Sequence, residues 1–134
     1  MVIIGKWQTV VQRVYAVYGP CEERRISLNQ RGDGRKIINI RVFYWNKPTD
    51  IGVGVTMSEF ERIHQFINNM ITFEKDGFFK AGKGMCTNDL IVGLRRHELC
   101  IIKFKSLGIF KSICISIDEY QNFFEQINML WSIL

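Results

Sequence analysis

The chain has 134 residues, 47% of them apolar and 23% charged, with 18 Lys and Arg against 13 Asp and Glu. That is enough apolar material for one compact domain with its own core, and too much for a disordered segment. No apolar run approaches the roughly 18 residues of a membrane-spanning helix, and the opening MVIIGKWQ lacks the long apolar stretch of a secretion signal, so an intracellular protein that is not secreted is expected.

Trp7 to Tyr18 (WQTVVQRVYAVY) reads as the first strand. A hairpin follows, RRISLNQRGDGRKIINIRVFYW over 24–45, turning at Gly32-Asp33-Gly34. From Arg24 to Lys47 it carries Arg24, Arg25, Arg31, Arg35, Lys36, Arg41 and Lys47 against the single acid Asp33. Its second strand alternates. Ile38, Ile40, Val42 and Tyr44 fall on one side, and Arg35, Ile37, Asn39, Arg41, Phe43 and Trp45 on the other. A short strand is expected near Gly52–Thr56, then a helix with Phe60, Ile63, Ile67, Met70 and Ile71 on one face. Thr56 and Glu59 have the spacing of a capping box.

After a seam near Glu74–Gly77 the same order returns. Strands are expected around Phe78–Met85, at DLIVGL, at Leu99–Lys105 and at Lys111–Ser116, with a hairpin turn at 95–98. A second helix opens on the pair Ser116 and Glu119 and places Tyr120, Phe123, Phe124, Ile127, Leu130, Trp131 and Leu134 on one face, toward the core. Lining up IINIRV with LCIIKF places Lys103 where Arg41 sits. The expected fold is α+β: one compact domain over 1–134, made of two repeats (1–75 and 76–134). Each repeat has four antiparallel strands followed by one helix, and the two pack as an intramolecular pseudo-dimer.

Positive charge concentrates on the strands, because both helices are acidic or balanced. Arginine and lysine interleaved with aromatic rings suit a single nucleic-acid strand, whose backbone offers phosphates and whose bases offer flat faces. Arg41 and Lys103 would meet phosphates, Phe43 or Trp45 would stack on a base, and Arg95, Arg96, Lys103 and Lys105 would form a second, weaker basic face.

Other chemistries find little support. GFFKAGKG over 77–84 has the frame of a phosphate loop, but Gly84 stands where Ser or Thr should hold magnesium. Cys21, Cys86, Cys100 and Cys114 show no CxxC spacing, and His64 and His97 have no ligand neighbour at a usual distance along the chain. Free thiols, no metal, no cofactor and no enzymatic activity are therefore expected.

The basic hairpin, the glycine-containing link and GVTMSEFERI together resemble the single-stranded-DNA-binding core of the transcriptional positive cofactor four family, best over 24–72. MVIIGKW is similar to that family's first-strand opening. Two such units in one chain resemble the plan of the plant Whirly proteins. The resemblance implies binding of single-stranded DNA, with a role in transcription or genome replication and maintenance, in the nucleus or wherever DNA is transcribed or replicated. It carries over to Lys6, Arg24, Lys36, Arg41 and Trp45. It departs at Asp33 or Gly34, where the family has an aromatic, and at Ile51 and Val53, where it has a basic pair. Strict alternation picks Arg25 with Arg31 for the outer face, whereas the resemblance picks Arg24. Transcription or replication proteins are further partners it implies, and an oligomer of the tandem chain is compatible with it. Two alternatives share these features: a protein-interaction module that docks such a partner through the acidic, aromatic last helix, and RNA binding on the same sheet.

Overall fold

The computed structural model describes residues 6–69, 85–86, 90–95, 98–106 and 109–134. β1 (Trp7–Tyr18), β2 (Glu22–Arg31), β3 (Lys36–Tyr44) and β4 (Lys47–Thr56) lead into α1 (Met57–Asn69). β5 (Met85–Cys86), β6 (Leu90–Arg95), β7 (Glu98–Ser106) and β8 (Ile109–Ser116) lead into α2 (Ile117–Ile133). The strands form two antiparallel sheets in sequential order, β1-β2-β3-β4 and β5-β6-β7-β8. The fold is α+β. Met70 and Ile71, the seam near 74–77, the phosphate-loop-like segment, Arg96 and His97 lie outside the described residues.

One face of each sheet and one stripe of each helix close a shared core. Ile26, Leu28, Ile38, Ile40, Val42, Val53 and Val55 come from the first sheet, and Leu90, Val92, Leu99, Ile101, Ile113 and Ile115 from the second. Phe60, Ile63 and Ile67 of α1 join Phe123, Ile127 and Leu130 of α2, at the three- and four-residue spacing that puts side chains on one helix face. Each such side chain contributes about 1.5–3 kcal/mol when fully buried. Tyr15 of β1 meets Phe123 edge to face, with ring centroids 5.1 Å apart.

Both helices start on the capping boxes that the spacing predicts. The Thr56 amide donates to Glu59 Oε1 at 2.9 Å and the Glu59 amide to Thr56 Oγ1 at 3.3 Å. Ser116 and Glu119 repeat the exchange, with the Ser116 amide 2.9 Å from Glu119 Oε1. Each capping carboxylate is also held by a cation from the other sheet. Lys103 of β7 donates to Glu59. Arg24 of β2 lies 3.3 Å from Glu119 Oε2, which also accepts from the Tyr18 hydroxyl at 2.5 Å. The helices meet through His64, which stacks on Trp131 at 4.7 Å and lies 2.8 Å from Asn128 Oδ1. Because the Asn128 amide nitrogen donates to the Phe124 carbonyl, its oxygen accepts, and the proton sits on His64 Nε2.

Two expectations change. The link after Trp45 is a strand from Lys47 onward rather than from Gly52. Trp45 and Asn46 make a two-residue turn with positive φ (52° and 62°), and Tyr44 faces Lys47 directly. Such a turn matches the twist of its flanking strands and lets pairing resume at once.

The second change concerns register. Ile37 faces Thr56 and Glu98 faces Ser116, so the helix caps phase β3 against β7. Counting from them, Ile38 corresponds to Leu99 and Arg41 to Ile102, whereas Lys103 corresponds to Val42. Lys103 therefore shares the face of Leu99 and Ile101, both buried, and not the outer face expected from the IINIRV–LCIIKF alignment.

Candidate nucleic-acid interface

The outer face of the first sheet is built from residues that alternate with the core. Across β2 and β3, Arg25 lies directly opposite Arg41, Ser27 opposite Asn39, and Asn29 opposite Ile37. β1 adds Val14 beside Arg25 and Gln12 beside Ser27, and β4 adds Gly52 beside Arg41 and Gly54 beside Asn39. Small and amide side chains thus run between Arg25 and Arg41 and the β2–β3 turn, with Ser27 buried among them.

Two of those arginines lie on rings. The Arg25 guanidinium is 4.1 Å from the Phe43 ring centroid, and that of Arg31 is 5.5 Å from Trp7. Arg25 also donates to Glu23 Oε1 and to Asn46 Oδ1, the latter at 2.6 Å. Arg31 pairs with Asp33 at 3.6 Å.

Arg41 differs from both. Its Nε donates to Asn39 Oδ1 at 3.2 Å and its Nη1 to the Thr49 carbonyl at 2.8 Å, both uncharged acceptors. Among the described residues no carboxylate forms an ion pair with it. Burial pulls the Arg41 guanidinium below its ordinary pKa, against a smaller opposing pull from Asp50. Like charges directly opposite each other destabilise a sheet, and Arg25 and Arg41 are so placed.

Gly52 makes this arrangement fit. A Cβ there would lie 2.5 Å from the Ile40 carbonyl oxygen and 2.8 Å from Arg41 Cα, both backbone atoms. The β3–β4 register shifts between Arg41 and Phe43, and Thr49 fills the irregularity by donating its hydroxyl to the Val42 carbonyl at 2.7 Å. The irregularity turns the Thr49 carbonyl toward Arg41. Bulges commonly re-aim groups in this way.

At one end of the strip stand Tyr44 and Trp45, edge to face at 6.3 Å. Trp45 is 64% exposed and holds a left-handed backbone conformation that bulky residues seldom adopt. Trp45 and Asn46, with Val17, Pro20, Glu23 and Arg25, border a cleft of about 360 Å³.

The other expected site residues distribute as follows. Lys6 is exposed just ahead of β1, and Arg35 and Lys36 are exposed at the β2–β3 turn, where Arg35 lies 3.7 Å from Asp33. Arg24 is a correction to the resemblance. It shares the face of Ile26 and Leu28, stands over the Tyr18 ring at 5.0 Å, and is engaged by Glu22 and Glu119. Alternation, which picked Arg25, agrees with the structure. Lys103 is committed to Glu59. The side chains of Arg95 and Lys105, like all of Arg96, lie outside the described residues. Trp7 as a site residue and the close approach of Gly52 to Arg41 escaped the sequence reading, since only the strand register puts Trp7 against Arg31 and Gly52 against Arg41.

The outer face of the second sheet has a different character. Ile91 faces Ile102, and Phe104 faces Phe110 with ring centroids 5.9 Å apart. No helix among the described residues is long and apolar enough to cross a membrane. Comparison with family models, curated proteins and solved structures found no match to this chain.

Proposed function

We propose that this protein binds single-stranded nucleic acid, DNA foremost, on the outer face of β1–β4, with little dependence on sequence. The observation that carries the reading is Arg41. A half-buried guanidinium whose hydrogen-bond acceptors are all uncharged is a place where a bound anion adds the ion pair that the described carboxylates do not form. The rings of Trp7, Phe43 and Trp45 lie within the same face or at its end, and base stacking on such rings is worth about 1–3 kcal/mol each. The protein acts as a binding module rather than an enzyme, in transcription or in genome replication and maintenance.

The two halves, 1–75 and 76–134, are read as β4α repeats packed as an intramolecular pseudo-dimer, on the plan of a tandem transcriptional positive cofactor four core. The reciprocal hold of Glu59 by Lys103 and of Glu119 by Arg24 supports this reading. So do the two capping boxes, each facing the same position of its own sheet.

Fluorescence anisotropy with labelled oligothymidine, oligouridine and blunt duplex, over a range of salt, tests the proposal. Engagement of about six phosphates gives a slope of log affinity against log salt near −4, at roughly 0.7 per phosphate. Salt-independent binding, or equal affinity for blunt duplex, overturns it. Preference for oligouridine moves the reading to RNA.

A further inference from the structure

The spacing of the cysteines along the chain gives no metal motif, yet the fold brings two of them together. Cys100 of β7 and Cys114 of β8 are directly opposed in the antiparallel pairing, and their sulfur atoms lie 3.4 Å apart. Both are thiols rather than a disulfide. Glu98, two residues before Cys100 and therefore on the same face, completes a set whose ligand atoms all lie within 4.8 Å of one another.

We infer that Glu98, Cys100 and Cys114 form a site for one thiophilic divalent cation of the zinc class, with two thiolates, one carboxylate and a fourth position open to water. Zinc takes sulfur at about 2.3 Å in a tetrahedron, so two bound thiolates stand about 3.8 Å apart. The observed 3.4 Å needs only a small side-chain adjustment to reach that span. Backbone pairing on both strands holds the two sulfurs on one face, which is the preorganisation a metal site needs.

The neighbouring strand adds no side chain directly opposite Cys100, because Gly93 of β6 stands there. The Cys114 carbonyl accepts from Arg24 Nη1 at 3.5 Å, which ties this part of β8 to the first sheet. On binding, each thiol gives up its proton to solvent and the two sulfurs coordinate the ion, with no change of oxidation state. The site lies on the outer face of the second sheet, beside Ser116 where α2 begins, and does not overlap the arginine face of the first.

The test uses the untagged, reduced full chain. Zinc is titrated against a competing chromophoric chelator, and cobalt(II) serves as a spectroscopic probe. One equivalent should bind, cobalt should give a sulfur-to-metal charge-transfer band, and Cys114→Ser should abolish that band. Glu98→Gln should keep the band and weaken binding. In the unaltered chain, zinc should slow alkylation of two of the four thiols by at least about tenfold, a readout that does not depend on any variant folding. The inference is overturned if zinc protects no thiol, if retention is unchanged in Cys114→Ser, or if mild oxidation converts the pair to a disulfide equally fast with zinc present as without.

Discussion

The two sheets are alike where they face each other and different where they face outward. Inside, each presents β-branched and leucine side chains to the shared core and supplies one cation to the other half's helix cap. Outside, the first sheet shows Arg25, Arg41, Asn39 and Phe43 where the second shows Ile91, Ile102, Cys100 and Phe104. Packing constrains the inner faces to similar solutions, because a buried position tolerates little beyond an apolar side chain of suitable volume. The outer faces carry no such constraint, so their divergence reports what each meets.

The largest test of this contrast lies in the backbone. Gly52 of β4 and Ser112 of β8 occupy corresponding places, beside Arg41 and Ile102. Gly52→Ala drives a methyl into the Ile40 carbonyl and should cost about 3 kcal/mol in chemical denaturation, the upper end of overpacking. Ser112→Ala should cost less than about 0.5 kcal/mol, as surface changes do. Equal costs would mean that the first sheet is not specially shaped around Arg41.

Next in size is the separation of binding from stability. Arg41→Ala should weaken oligothymidine binding about thirtyfold, near 2 kcal/mol for a charge-assisted contact, with the unfolding midpoint little changed. Lys103→Ala should leave affinity within about twofold and lower stability by about 1 kcal/mol, as expected for a partly exposed pair. A larger binding loss from Lys103→Ala would break the contrast between the faces. Trp7→Ala sharpens it further. Anisotropy should show about a tenfold loss, within the 1–3 kcal/mol of a stacking ring, against no loss for Phe104→Ala.

The smallest effect is acid sensitivity. Although burial alone would raise it, the Glu59 carboxyl is held below its ordinary value of 4.5 by hydrogen bonds from Lys103 and from Thr56. A carboxyl lowered on folding adds stability above pH 4.5, and that contribution is lost as pH falls through the folded value. Lys103→Met should therefore flatten the pH dependence of the denaturation midpoint between pH 5 and 3. An unchanged profile would show that the carboxylate draws nothing from Lys103.

How legible these features were in the sequence follows from how local they are. The capping pairs Thr56–Glu59 and Ser116–Glu119 sit three residues apart and could be read directly. So could the phase of β3, where Asn39 and Arg41 interrupt the apolar run and mark the outer face. β7 gives no such mark, because Leu99, Cys100, Ile101 and Ile102 are apolar on both faces, and a period of two then has no phase. The alignment that put Lys103 beside Arg41 slipped by one residue for that reason. Arg24 was assigned outward by resemblance, although the buried Glu119 that claims it stands far along the chain. Trp7, Gly52 and the Cys100–Cys114 contact depend on register across hairpins, which composition and spacing along one strand do not encode.

The bond between Tyr18 and Glu119 spans 101 residues, joining the first strand to the last helix. Synthesis at roughly 5–20 residues per second puts about 5–20 s between the emergence of the two. Throughout that interval Tyr15 has no Phe123 to meet, and Arg24 has no buried carboxylate. Closure of the inner face of the first sheet over Tyr15 and Arg24 therefore waits for α2.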